Sequence, residues 1–203
     1  MVAQDFSGKT VVVMAGGTGG HVYPALALAL ALSARGARVH WLGNADGFEA
    51  SRVRAAGFEL HDIAVRGLRG KGWRRGLSAP WMLGRAFWRA FQALRQVQAD
   101  VVIGFGGFVS GPGGVAAKGL GMKLVVHEQN ARMGLTNRLL AKVADKVWLA
   151  DARAWSGDWK KAEVVGNPVR EALVSVLAPE VRFAKRSGAI KWLIIGGVRA
   201  LQY

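Results

Sequence analysis

Thr18 stands among four glycines, Gly16, Gly17, Gly19 and Gly20, and His21 follows directly. These types at this spacing suit anion binding and proton transfer. Glycine lets a phosphate approach the backbone closely, and an imidazole beside it changes protonation near neutral pH. A β-branched run, Thr10–Val13, precedes the loop and reads as a buried parallel strand. Pro24 is pre-set for the first turn of a helix whose Ala/Leu run continues to Arg35, with Gly36 as a stop signal. Strand, glycine loop and helix N-terminus together offer bare N–H groups and a positive dipole end to an anion. The dinucleotide fingerprint G-x-G-x-x-G does not fit, because it requires glycine at Val22, and no Gly-Lys-Ser/Thr closes a P-loop. A tight strand-to-helix turn without a ligand is the bland alternative, in which His21 is a bystander.

Two further stretches share that logic. Asp100–Ile103 reads as a buried strand running into Gly104–Gly114, GFGGFVSGPGG, and strand Lys123–Val126 runs into the loop His127–Asn130. Within this loop Glu128 is a second acid–base candidate, or a carboxylate that orients His127 or the backbone. Asn130 offers both a donor and an acceptor, and Arg170 a guanidinium fork suited to phosphate or carbonyl groups. Asn130 reads equally as a turn residue and Arg170 as a surface charge.

The elements that must position these residues alternate. Arg38–Leu42 reads as a second strand, Asn44 or Asp46 caps a short helix ending before Gly57, and Glu59–Val65 reads as a third strand. A basic glycine-rich loop, 66–79, precedes a helix from Pro80 to about Gln98; a short helix follows the second glycine stretch, and a helix near Thr136–Ala144 and strand Lys146–Leu149 continue the series. The fold class is therefore α/β: a Rossmann-like parallel sheet with helices on both faces. Ligands in such sheets bind outside the carboxyl ends of the strands, where both glycine loops and His127–Asn130 converge. Gly166-Asn167-Pro168 marks a domain boundary, giving residues 1–165 as one domain and 166–203 as a linker and the start of a second, with a strand at Trp192–Ile195 running into Gly196-Gly197.

Composition narrows the partners. The chain has 203 residues, 51% of them apolar, enough for a sizeable core. Cysteine is absent, which excludes disulfides and thiolate metal sites. The start MVAQDFSGKT lacks a basic region followed by an apolar one, so no signal peptide is expected, and clustered glycines, His21 and Pro24 interrupt the uncharged stretch 10–34 too early for a membrane span. The net charge of +15 points to polyanions: nucleic acid, anionic lipid or phosphorylated substrates. No nucleic-acid-binding signature occurs, so nucleic acid is not an expected partner.

Much of the charge has an address. No acidic residue lies between Asp62 and Asp100, while Arg66, Arg69, Lys71, Arg74, Arg75, Arg85, Arg89 and Arg95 are basic. On a helix, Leu83, Phe87, Ala90, Leu94 and Val97 fall in one stripe, the expected core face. Trp81, Trp88 and Phe91 lie largely opposite, beside Arg85 and Arg89. Aromatic rings next to arginines on an outward face suit an anionic membrane surface.

With GGTGGHVYPALA, GGFVSGPGG, HEQN and VVGNPVR in this order, and RGLRGKG between the first two, the chain resembles the MurG family. These are the UDP-N-acetylglucosamine:N-acetylmuramyl-(pentapeptide) pyrophosphoryl-undecaprenol N-acetylglucosamine transferases. The resemblance covers nearly all of residues 10–197 and implies the N-terminal half of a GT-B fold. It implies inverting transfer of N-acetylglucosamine from UDP-N-acetylglucosamine to the C4 hydroxyl of lipid I, giving lipid II, at the cytoplasmic face of the bacterial inner membrane as a peripheral protein. His21 is the candidate base, kept neutral by the helix N-terminus, with Glu128 competing. Thr18, Gly19, Gly20, Asn130 and Arg170 would touch the nucleotide sugar. Gly16, Gly17, Gly106, Gly107, Ser110 and Gly111 would hold the acceptor's diphosphate. No Asp-x-Asp occurs, so neither a catalytic metal nor another cofactor is expected. Where the family continues Gly-Gly-Ser-x-Gly-Ala, this chain has Gly196, Gly197, Val198, Arg199 and Ala200, and it reads as an incomplete, inactive copy. The alternatives are a transferase using another lipid acceptor, such as diacylglycerol, and a non-catalytic membrane-binding remnant.

Overall fold

A computed structural model describes residues 5–65, 73–169, 175, 176, 178–184, 186 and 188, with side chains described throughout except at 73–79. Arg170, the loop residues Arg66, Arg69 and Lys71, and the strand expected at 192–195 lie outside the described residues.

Seven parallel strands form one sheet in the order β3-β2-β1-β4-β5-β6-β7. They are β1 (Thr10–Met14), β2 (Arg38–Gly43), β3 (Glu59–Asp62), β4 (Val101–Gly104), β5 (Lys123–Glu128), β6 (Lys146–Leu149) and β7 (Ala162–Val164). Helices α1 (Gly19–Ser33), α2 (Ala50–Ala55), α3 (Trp73–Val97), α4 (Ser110–Gly119), α5 (Leu135–Leu140) and α6 (Pro179–Phe183) complete the described elements, with one 3-10 turn at Ala152–Ala154.

Alternation along β1 separates two cores. Val12 and Met14 join Leu42, Val102 and Leu124 against Ala86, Ala90 and Leu94 of α3 and Ala116 and Ala117 of α4. Val11, Val13 and Ala15 join Val39, Trp41 and Ile103 against Val22, Ala25 and Ala29 of α1. The buried Trp41 indole donates to the Ala15 carbonyl at 3.1 Å, so the ring enters the core without an orphaned N–H. Strand order reverses between β1 and β4, and the crevice at such a switch point is where open α/β sheets bind ligands.

Several boundaries differ from the sequence reading. The third strand ends at Asp62, where the Ala64 N–H turns back to the Asp62 carboxylate at 3.0 Å, and Asn44 does not cap a helix. Instead it pins the segment after β3, donating to the Val65 carbonyl at 2.7 Å and accepting from the Val65 N–H at 2.8 Å. β5 runs through His127 and Glu128, which are therefore strand residues and not loop residues. The helix expected from Pro80 begins at Trp73, with Pro80 inside it. Proline removes one backbone donor but leaves its carbonyl and every later turn intact, so it marks a weak point and not a start.

Candidate active site

The loop after β1 delivers Thr18 and His21 to the carboxyl edge of the sheet. Thr18 is the N-cap of α1 but makes no side-chain cap bond. Its hydroxyl lies 3.0 Å from His21 Nδ1. Donation from Nδ1–H to that hydroxyl leaves Nε2 with a lone pair. Burial holds the His21 pKa below the usual imidazole value, and the negative charge of Glu128 offsets part of that shift. The ring is thus neutral at neutral pH, the state in which it accepts a proton. Gly19 and Gly20 open the fifteen-residue helix, where backbone N–H groups have no intrahelical acceptor.

The loop after β4 locks onto the first. Gly106 and Gly107 have φ of +97° and +82°, a region that L side chains avoid. A Cβ on Gly107 would overlap the Gly16 carbonyl, and one on Gly106 would lie 3.0 Å from His21 Cδ2. The imidazole therefore rests over bare backbone. Ser110 is fully buried, and its hydroxyl accepts from the Gly106 N–H at 3.1 Å with the Gly106 and Met14 carbonyls at 2.9 and 3.1 Å to take its proton. The Ser110 hydroxyl and the Gly106 N–H, both expected at the acceptor's diphosphate, are thus engaged within the turn. Gly16 is likewise buried, backed by Glu49 and Val109. Gly17 is exposed and Gly111 half-buried.

Glu49 was invisible in the sequence. It is fully buried, accepts from the Asn44 N–H at 2.9 Å and the Gly17 N–H at 3.3 Å, and so props the first loop from behind. Gly47 makes room for it, since a Cβ there would lie 2.5 Å from the Glu49 carboxylate.

Glu128 has a similar role at β5. One oxygen accepts from the Asn130 N–H at 3.0 Å and the Asn130 side chain at 2.8 Å. The other accepts from the Gly134 N–H at 3.0 Å and Asn137 Nδ2 at 2.9 Å. Four donors surround this buried carboxylate, which suits a group that shapes a loop better than one that collects a substrate proton. Asn130 itself is exposed at the rim. His127, stacked on Phe105 at 4.9 Å, has Nε2 3.0 Å from the Gly166 carbonyl and Nδ1 3.0 Å from Gln129 Nε2. An Nε2–H tautomer satisfies both contacts, and burial lowers the His127 pKa in keeping with that neutral ring.

On α3, Ala86, Ala90 and Leu94 are fully buried, and the Leu94 side chain alone contributes about 1.5–3 kcal/mol. That anchors the helix while Trp81 and Trp88 remain 80% and 57% exposed and Arg85 is exposed. Three residues depart from the helical-wheel reading. Leu83 is exposed, Phe91 is half-buried against the core and stacks on Trp88 at 5.9 Å, and Arg89 is drawn to Asp62 at 3.1 Å. Leu83 and Phe87 line an apolar cavity of about 410 Å³ shared with Gly111, Val115, Leu135 and Leu139 of α4 and α5. Exposed Leu135, Leu139 and Val143 extend that apolar surface beside Arg138 and Lys142. Among the described residues no helix is long and apolar enough to cross a membrane.

The doubly wound parallel sheet, with two glycine loops meeting at its switch point, is the Rossmann-like N-terminal half of a GT-B glycosyltransferase fold. Residues 11–149 match the glycosyltransferase family 28 N-terminal domain. The chain belongs to that family, on its MurG branch. It is 55% identical over 192 residues to the UDP-N-acetylglucosamine–N-acetylmuramyl-(pentapeptide) pyrophosphoryl-undecaprenol N-acetylglucosamine transferase of Dichelobacter nodosus, covering 94% of this chain and 53% of that protein. The Vibrio cholerae protein of the same name is 51% identical over 189 residues, covering 93% and 52%. The crystal structure of Acinetobacter baumannii MurG superposes with a TM-score of 0.70 at 39% identity, covering 80% of this chain and 47% of that one. The chain spans about half the length of the curated relatives it matches.

Proposed function

We propose that this chain is the acceptor-side half of an inverting transferase that moves N-acetylglucosamine from UDP-N-acetylglucosamine to undecaprenyl-diphospho-N-acetylmuramoyl-pentapeptide. The observation that carries the reading is His21: a neutral imidazole at the switch point, its Nδ1 held by Thr18 and its ring lying over Gly106. His21 Nε2 takes the proton of the C4 hydroxyl as that oxygen bonds to the anomeric carbon. The bond from that carbon to the UDP oxygen breaks on the opposite face, giving inversion, and UDP leaves with the electron pair. Gly19 and Gly20 at the α1 N-terminus, with Thr18, Asn130 and Arg170, meet the nucleotide sugar from this side of the cleft. The exposed backbone around Gly17 and Gly111 takes the acceptor's diphosphate, while Ser110, Glu49 and Glu128 fix the loops. Residues 1–165 form the acceptor domain, and 166–203 the linker and the beginning of the donor domain.

The same reading places the protein peripherally on the cytoplasmic face of the inner membrane. Trp81, Trp88, Leu135 and Leu139 would enter the headgroup region, with Arg85, Arg138 and Lys142 toward anionic lipid. The apolar cavity opens beside Gly111, where the lipid end of the acceptor would emerge. Each basic residue at such a surface adds about 1 kcal/mol, screened by salt. Anionic vesicles are expected to bind the protein more tightly than neutral ones, less so in salt, and Trp81→Ala with Trp88→Ala should weaken binding in a sedimentation assay. Indifference to lipid charge and to the double substitution would refute the membrane face.

Transfer of radiolabelled sugar onto a lipid I analogue tests the activity. A full-length protein carrying this chain is expected to transfer, whereas a polypeptide of these 203 residues supplies one wall of the cleft and should show negligible turnover. Its binding of UDP-N-acetylglucosamine should be weaker than millimolar. Micromolar binding by calorimetry would overturn the division between domains, and transfer to diacylglycerol instead of lipid I would overturn the acceptor.

A further inference from the structure

β2 and β3 pair in parallel with His40 opposite Glu59 and Leu42 opposite His61. Two-residue periodicity therefore puts His40, Glu59 and His61 on one face of the sheet, the face on which Leu42 meets the α3 side of the core. Their ligand-type atoms converge. His40 Nδ1 lies 3.1 Å from His61 Nε2 and 3.3 Å from Glu59 Oε2, and His61 Nε2 lies 3.8 Å from Glu59 Oε1. Two neutral imidazoles that both donate to Glu59 set their N–H groups against each other, and one that donates to the other leaves an unprotonated nitrogen beside the carboxylate.

A cation resolves that conflict. Ligand atoms about 2.0–2.1 Å from a tetrahedral zinc ion stand about 3.3–3.4 Å from one another, close to the 3.1, 3.3 and 3.8 Å separations of this group. We infer that His40, His61 and Glu59 form a binding site for a divalent transition-metal ion of the zinc type, open to water at its fourth position. Two imidazoles with one carboxylate favour zinc, cobalt, nickel or copper over magnesium or calcium, which select all-oxygen cages. The imidazoles are 14% and 17% exposed and the carboxylate 66%, so an ion has access and Glu59 has room to adjust. Arg38 is the cation that opposes it, through its electrostatic effect on His40. The site lies at the β2–β3 edge, apart from the glycine loops, and a bound ion would clip the short edge strand β3 to its neighbour.

Zinc titration by calorimetry, with cobalt substitution followed by visible absorption, tests the site. One ion per chain with tetrahedral cobalt bands is expected. His61→Ala should weaken binding by no less than about 10–100-fold, the loss that removing a mere supporting partner of a metal ligand brings. Glu59→Gln, at an exposed position that leaves folding intact, should also weaken binding and abolish the zinc-dependent rise in Tm expected of the parent protein. Absence of zinc and cobalt binding to the parent, or binding unchanged in both variants, would overturn the assignment.

Discussion

His21→Ala in the full-length protein is expected to lower kcat by roughly 10²–10⁴-fold, the range for loss of a positioned general base. The affinity for UDP-N-acetylglucosamine should change little, because the Gly19 and Gly20 backbone survives the substitution. The pH profile supplies an independent readout. Burial lowers the His21 pKa, so the acid limb of kcat/KM should fall at a pH below the ordinary imidazole value, activity being lost as the ring protonates. Since the Glu128 charge offsets part of that lowering, Glu128→Gln should move the limb to still lower pH. If Glu128 were the base, that substitution would erase the limb, and His21→Ala would remain within a few-fold of the parent.

Glu128→Ala should be the most damaging change to stability around the site. It strands donors on Asn130, Gly134 and Asn137 that now converge on one buried carboxylate. Breaking such a group costs about 3–5 kcal/mol. For a chain of this size that corresponds to a fall in Tm of roughly 6–20 °C. Thermal unfolding by circular dichroism measures it. An unchanged Tm with abolished transfer would return Glu128 to a chemical role.

These two residues also mark what the sequence disclosed and what it withheld. The strand, loop and helix carrying Thr18 and His21 are contiguous, so strand composition, glycine punctuation and Pro24 were enough to find them. Convergence of both glycine loops followed from the alternation of elements alone. Glu128 was legible as an acid–base candidate or an orienting carboxylate, but its partners Gly134 and Asn137 were not, because they lie six and nine residues away across a turn. Glu49 gave no signal, since nothing in its own neighbourhood announces that Gly17, far upstream, will donate to it. The His40, Glu59 and His61 group depends on the β2–β3 register, which periodicity within each strand does not fix. Pro80 misled because proline is favoured in a helix's first turn, and nothing in the local sequence separates that position from one inside a helix.

The packing of Gly107 on the Gly16 carbonyl bears on how this protein can change over time. A side chain at 107 demands that the first loop retreat, and a retreating first loop pulls Gly17 from Glu49 and shifts Thr18 away from His21. The two segments, distant in the gene, are tied as a single heritable unit, so recombination that takes one from a diverged relative without the other should yield a misassembled site.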